Sequence, residues 1–219
     1  MIADVLGAPV STAERFDDSA DVALFPEEEA LLGRAVASRR AEFSTARLCA
    51  REALGGLGVP PVPVLPGPKR EPLWPDGVVG SITHCAGYRA CAVARVSDLL
   101  TVGIDAEPNA PTPDGVLGAV ALPAEIARGE ALSAAHPDVS WDRLLFSAKE
   151  STYKAWYPVA RRWLGFEDAD IVLRPDGTFT SRVLVEPPVV GGVPLDVFHG
   201  RWLCRDGLLL TTVAVPAAA

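Results

Sequence analysis

The sequence predicts an α+β fold in which each half of the chain carries a long helix and several strands. Three observations lead there. Apolar residues recur at helical spacing from Glu27 to Leu57, from Pro123 to Ala135 and from Trp141 to Arg162. Runs rich in β-branched residues follow each helical region, first between Val78 and Ile104 and then between Asp170 and Val215. Pro-Asp-Gly and Arg-Asp-Gly turns separate the later strands. A long helix plus several strands, twice over, is an α+β pattern and points to duplication.

Taken in order, residues 1 to 25 carry little pattern. Leu31, Ala35, Phe43, Leu48 and Leu54 then recur with basic residues between them, and Gly55-Gly56 stops the run, so one or two helices are expected. Val59 to Pro75 holds seven prolines, which favours extended, linker-like backbone interrupted by Lys69-Arg70-Glu71. Strands are expected at Val78 to Ile82, Ala90 to Val96 and Leu100 to Ile104, the first two flanking Thr83-His84-Cys85-Ala86-Gly87-Tyr88. In the helix from Trp141, Pro158 marks a kink or an internal boundary. Short strands follow at Asp170 to Leu173, Thr178 to Val185, Leu195 to Leu203 and Leu208 to Val215, and residues 216 to 219 read as a frayed tail. Phe43 to Arg51 and Phe146 to Lys154 both place a cation eight residues after a Phe on a helix, a faint internal echo.

Composition excludes several classes of function. A 219-residue chain forms one large domain or two small ones, and 49% hydrophobic against 22% charged residues excludes a disordered chain. No run of 18 or more apolar residues is free of charge and proline, so no membrane span is expected. Met1-Ile2-Ala3-Asp4 lacks the basic start of a signal peptide, which leads us to expect a cytoplasmic protein. A net charge of −8 argues against a general nucleic-acid binder. Cys49, Cys85, Cys91 and Cys204 form no C-x-x-C pair, and reduced, mostly buried thiols are expected.

Two acidic runs carry the chemistry. In Gly103-Ile104-Asp105-Ala106-Glu107 the carboxylates stand two apart at a strand end and therefore share a face. In Phe146-Ser147-Ala148-Lys149-Glu150-Ser151-Thr152-Tyr153-Lys154 a helix sets Glu150 one turn before Lys154, at the border of a face formed by Phe146, Tyr153 and Tyr157. A carboxylate so placed is poorly solvated and needs a cation. Asp105, Glu107 and Glu150 suit magnesium, a hard cation that takes oxygen ligands and completes its shell with water and phosphate; manganese is a possible substitute. Arg39, Arg40, Arg47, Arg51, Lys69, Arg70 and Lys154 are candidate cations for an anionic substrate. Ser81, Thr83 and His84 can all donate to phosphate oxygens. The residues alone reach magnesium-assisted phosphoryl chemistry.

The assembled pattern resembles the Sfp-type, EntD-like 4′-phosphopantetheinyl transferases, in particular their actinobacterial branch. The resemblance is carried by Arg39-Arg40-Ala41-Glu42-Phe43 with Arg47, Lys69 to Pro75, Gly80 to Cys85, Gly103 to Glu107, Phe146 to Trp156 and Arg162 to Phe166. It implies transfer of the phosphopantetheine arm of coenzyme A to a serine of an acyl, peptidyl or aryl carrier protein, releasing 3′,5′-ADP. Such chemistry serves polyketide, nonribosomal peptide and antibiotic biosynthesis. The implied fold has two similar α/β halves in pseudo-twofold arrangement, here residues 1 to 105 and 106 to 219, in a monomer with the active site at their junction. Asp105, Glu107 and Glu150 resemble the family's metal ligands, and Glu150 the group that takes the serine proton directly or through water. Lys154 resembles the cation that neutralises the pyrophosphate and protonates the leaving phosphate. Thr83 and His84 resemble a phosphate-contacting pair beside Ser81, and Arg39 or Arg40, Arg47, Lys69 and Arg70 the contacts to the 3′-phosphate and adenine. Two readings without the resemblance stay open: a magnesium-dependent nucleotide or pyrophosphate hydrolase, and a coenzyme A-binding module without turnover.

Overall fold

The computed structural model describes residues 1–7 and 9–217. Its first half holds α1 (Ile2–Leu6), β1 (Ser11–Arg15), α2 (Pro26–Leu32), α3 (Ala37–Gly56), β2 (Leu65–Pro66), β3 (Pro72–Leu73), β4 (Val78–Cys85), β5 (Tyr88–Arg95) and β6 (Leu99–Pro108). Then come α4 (Val116–Val120), α5 (Pro123–Ala135), α6 (Trp141–Ala160), β7 (Ala169–Leu173), β8 (Thr178–Val183), β9 (Val189–Val190), β10 (Val193–Pro194), β11 (Val197–Arg205) and β12 (Leu208–Pro216). The architecture is mixed α and β, with antiparallel pairing throughout the described sheets. A three-stranded sheet runs β1-β5-β4, and a five-stranded sheet runs β6-β12-β11-β8-β7.

These elements stack in four layers. Cys49, Ala50, Ala53 and Leu54 of α3 pack on Val78, Cys91 and Val93 of the small sheet. The opposite face of that sheet, Tyr88, Ala90, Ala92 and Ala94, meets Val102, Ile104 and Ala106 of β6 and Leu208 and Leu210 of β12. Beyond the large sheet lies α6, whose Ala148, Ala155 and Trp156 pack among Ile171, Phe179, Phe198 and Val213. Period-two alternation produces this layering: β5 turns apolar or small side chains to both α3 and β6, while β6 turns Val102, Ile104 and Ala106 to the small sheet and its other face to α6.

The helical run from Glu27 resolves into two helices, and the extended proline-rich segment contains the β2–β3 ribbon. Pro158 lies inside α6, which closes two residues later at Ala160, so it marks neither a boundary between helices nor the start of a new one. β4 continues to Cys85, so Thr83 and His84 are strand residues. The unpatterned start holds α1 and β1, the latter paired with β5 from Ser11↔Val93 to Arg15↔Arg89. Pro216 closes β12 and Ala217 N donates to Asp98 O at 3.0 Å, while residues 218 and 219 of the expected tail lie outside the described residues. The four cysteines are free thiols; Cys49 and Cys91 are buried, and Cys85 and Cys204 are partly so. Among the described residues, no helix is long and apolar enough to cross a membrane.

Two close approaches bring the layers into register. A Cβ at Gly103 of β6 would run into the Ser151 carbonyl and come within 2.7 Å of Ala155 N, so glycine lets α6 lie against the strand. At Gly80 of β4 a Cβ would stand 2.7 Å from Trp74 Cε2. On the far side of α6, buried Lys149 donates to Phe166 O at 2.5 Å and Ala169 O at 2.9 Å and pairs with Glu125 at 2.9 Å. Glu125 in turn accepts from Leu122 N and Ile171 N, which fixes α5, α6 and β7 together. Gly103→Ala is expected to destabilise the protein by about 1–3 kcal/mol through overpacking and to lower activity by moving α6. Chemical denaturation and turnover of the variant check this, and wild-type values for both would refute the packing argument.

Candidate active site

The site begins where two edge strands meet. Ser81 and Thr83 point from β4 toward β6 and are buried. Ser81 Oγ accepts from Ile104 N at 3.1 Å, and Thr83 Oγ1 accepts from Ala106 N at 3.0 Å. Thr83 Oγ1 also donates to Asp105 Oδ1 at 3.2 Å. The two hydroxyls expected to donate to phosphate are thus engaged with the edge of β6, where Thr83 holds a carboxylate from behind. His84, the next side chain along, turns the other way and places Nδ1 2.9 Å from Glu42 Oε1 on α3.

Asp105 and Glu107 share the face of β6 turned to α6. Lys154 Nζ donates to Asp105 Oδ1 at 2.8 Å and to Ile104 O at 3.1 Å. Arg143, which sequence reasoning missed, donates to Glu107 Oε2 at 3.1 Å and to the carbonyls of Ala110 and Pro111. It stands seven residues before Glu150, hence on the same helix face, and that spacing was the available signal. Burial pushes the Glu150 carboxyl above the usual range; Lys154 opposes the shift, and Asp105 and Glu107 add to it. Burial also raises Glu107, with Asp105 adding and Arg143 opposing.

Among the described residues no group of three His, Cys, Asp or Glu side chains is arranged to hold a metal by itself. The donors nonetheless fit a hard cation. Asp105 Oδ2 is buried and has no hydrogen-bond partner. A buried carboxylate oxygen left so is costly unless a cation reaches it. Magnesium needs only one or two carboxylates, since it keeps several waters.

Two adjoining cavities lie on this side of the molecule, and Glu150 and Lys154 reach one of them. One, of about 600 Å³, is lined by Arg39, Glu42, Arg47, Arg70 and His84. Arg39 donates to Glu42 Oε2 at 2.8 Å, whereas Arg40 pairs with Glu29 and does not line the cavity. Burial lowers the proton affinity of His84 while Glu42 raises it, with a net downward shift. Arg47 is 9% exposed, its guanidinium lies 4.2 Å over the Phe43 ring, and its buried Nε has no hydrogen-bond partner. The other cavity, of about 440 Å³, is walled by Trp74, Tyr153 and Tyr157 and edged by Lys69, Arg70, Glu150 and Lys154. Arg70, Pro72 and Ile82 line both. The β2–β3 ribbon presents Lys69 and Arg70: Glu71 Oε2 accepts from Lys69 N at 2.9 Å, and Arg70 adopts φ 70°, a conformation stabilised only by its surroundings.

Comparison with known proteins identifies the family. Residues 27–94 match the 4′-phosphopantetheinyl transferase N-terminal domain, and residues 101–193 match the 4′-phosphopantetheinyl transferase superfamily. The chain is 55% identical, over its whole length and 91% of the relative, to 4′-phosphopantetheinyl transferase Svp of Streptomyces mobaraensis. It is 49% identical to 4′-phosphopantetheinyl transferase PptT of Mycobacterium tuberculosis, over 98% of each chain. With 4′-phosphopantetheinyl transferase Npt of Nocardia iowensis it shares 48% identity over 98% of this chain and 99% of the relative. The chain belongs to the 4′-phosphopantetheinyl transferase superfamily. Phosphopantetheinyl transferases move the phosphopantetheine group of coenzyme A to carrier proteins and use a divalent metal, and this chain is an enzyme of that type.

For this transferase the raised Glu150 gives a signed expectation. A carboxyl whose folded pKa lies above its unfolded value destabilises the fold at pH above both, and the penalty fades as pH falls through the folded pKa. Glu150→Gln is therefore expected to raise the Tm of metal-free protein at neutral pH, with the gap closing under acid conditions. A Tm difference that stays constant with pH would contradict the assignment.

Proposed function

We propose that this phosphopantetheinyl transferase carries the 4′-phosphopantetheine arm of coenzyme A to a serine of an apo acyl, peptidyl or aryl carrier protein and releases 3′,5′-ADP. One observation carries the reading: a cation-lined cavity and an aromatic cleft share the wall of Arg70, Pro72 and Ile82, and Lys154 at the edge of the cleft holds Asp105 at 2.8 Å. Coenzyme A has matching parts, an anionic 3′-phospho-ADP end and an amphipathic pantetheine arm joined by a pyrophosphate.

Arg39, Arg47, Lys69 and Arg70 bind the 3′-phosphate and adenine end in this proposal, with His84 on a phosphate. Ser81 and Thr83 support the pyrophosphate position from behind by fixing β6 and Asp105. Asp105, Glu107 and Glu150 hold magnesium, for which manganese substitutes. When bound, the metal supplies charge neutralisation at the pyrophosphate. The serine hydroxyl oxygen attacks the phosphorus that carries the arm, and the bond from that phosphorus to the bridging oxygen breaks. Glu150, directly or through a water it orients, takes the serine proton; its raised proton affinity suits that work. Lys154 neutralises the departing phosphate and gives it a proton.

The same proposal includes two pseudo-twofold halves, residues 1 to 105 and 106 to 219, with the site at their junction. It is supported by α3 and α6, each 20 residues long and each laid on the outer face of an antiparallel sheet. We further propose a cytoplasmic monomer acting in polyketide and nonribosomal peptide biosynthesis. At a net charge of −8 its carrier-docking surface is apolar or locally basic, and long-range steering of acidic carriers is modest.

Incubation with coenzyme A, magnesium and an apo carrier protein tests the reading by intact-protein mass. The expected result is a carrier heavier by one phosphopantetheine; hydrolysis of coenzyme A without carrier, or binding without turnover, would overturn it. Glu150→Ala is expected to lower kcat by about 10²–10⁴-fold with the fold intact, as for loss of a general base. Lys69→Ala should chiefly raise KM for coenzyme A, and an unchanged KM would remove the ribbon from the binding site.

A further inference from the structure

Glu28, buried between α2 and α3, lines neither of the two cavities. It is 0% exposed, sits three residues after the Phe25 cap of α2, and accepts from Phe25 N at 3.2 Å. A cap accounts for one carboxylate oxygen at most. Here Oε2 also receives Arg51 NH2, while Oε1 receives Val64 N at 3.0 Å and stands 3.7 Å from Arg47 Nε. Val64 is buried immediately before β2, the strand that leads into the Lys69-Arg70 loop. One carboxylate therefore joins α2, α3 and the root of the ribbon, and all three contribute walls to the larger cavity.

The charges explain why a carboxylate is required. Arg47 and Arg51 stand one turn apart on α3, with side chains only 10% and 15% exposed. Like charges at that spacing repel, and burial removes the water that would screen them. Glu28 between them compensates one positive charge and leaves the other. Phe43 lies against the Arg47 guanidinium at 4.2 Å and Glu28 stands at its Nε, so the remaining edge is left to the cavity that Arg47 lines. Arg51 faces Glu28 and the Ala23 carbonyl instead.

We infer that Glu28, without touching substrate, is a positioning residue for the 3′-phosphate of coenzyme A: it orients Arg47 and ties together the segments that form that end of the cavity. The inference rests on reading the cavity as the seat of the 3′-phosphate. A guanidinium held in a fixed orientation binds phosphate with less lost freedom than a mobile one.

Isothermal titration of wild type and Glu28→Gln with coenzyme A and with 3′-dephospho-coenzyme A separates this role from a structural one. Wild type is expected to prefer coenzyme A. Glu28→Gln should weaken coenzyme A about tenfold, the size of one charge-assisted contact, and leave the dephospho form within about twofold. KM for coenzyme A should rise with kcat nearly unchanged, and on an Arg47→Ala background the substitution should add nothing. A variant that keeps the wild-type preference, or that loses both ligands equally, overturns the role of Glu28. A wild type indifferent to the 3′-phosphate overturns the reading of the cavity itself. Where Glu28→Gln does not fold, Glu28→Asp, which keeps the charge but withdraws it by one methylene, is expected to show a reduced preference; an undiminished one refutes the inference.

Discussion

The seam between β4 and β6 fixes the rest of this site. Two edge strands meet there without a backbone ladder, and the hydroxyls of Ser81 and Thr83 take the outward N–H groups of Ile104 and Ala106. A direct β-pairing would occupy those groups with main-chain carbonyls and leave no side chain to reach Asp105. With hydroxyls in that place, Thr83 also donates to Asp105, and Lys154 reaches the Ile104 carbonyl from α6. Unmet, each buried N–H would cost about 1–3 kcal/mol, so the seam is held as firmly as a short ladder. Gly103 completes the arrangement by letting α6 approach the same strand.

Charge is managed by one device on both sides of the seam. The two carboxylates of β6 that face α6 each have a cation against them, Lys154 on Asp105 and Arg143 on Glu107. Cations of the larger cavity have carboxylates behind them, Glu28 for Arg47 and Glu42 for Arg39 and His84. Such partners hold charged groups in place before a ligand arrives, and preorganisation of that kind is the main source of electrostatic catalysis. It also explains carboxylates inside a cation-lined cavity, where they limit the repulsion among crowded cations.

Local spacing was legible in the sequence, and its tertiary use was not. The i,i+2 relation of Asp105 and Glu107 and the i,i+4 relation of Glu150 and Lys154 follow from backbone geometry, and the fold keeps both. The α5 span and most core strands were legible for the same reason. By contrast, Ser11-Thr12-Ala13-Glu14-Arg15 has no apolar alternation, and it is a strand only because β5 lies beside it. Ser81 and Thr83 share a face as expected, yet what stands across from that face is a property of the assembled sheets. Glu28 and Arg143 look like ordinary surface charges in sequence. Their signals, an acid at the third position of a proline-led helix and a cation two turns before Glu150, acquire meaning only beside their partners.

Glu150 shows why the aromatic cleft and the acidic cluster belong together. A carboxylate in water is a weak base, and a carboxylate beside an ammonium is weaker still. Here burial at the edge of Tyr153 and Tyr157, with Asp105 and Glu107 nearby, raises its proton affinity against the pull of Lys154. The opposing influences serve different moments. In the proposed proton transfer, Lys154 keeps Glu150 ionised enough to accept a proton, and burial makes acceptance favourable once a hydroxyl is presented. Moving Glu150 one position along α6 would turn it about 100° away and separate it from both influences. The register of α6 on β6, set by Gly103 and by the Lys149 anchor on the opposite face, is therefore a condition for the chemistry as well as for the fold.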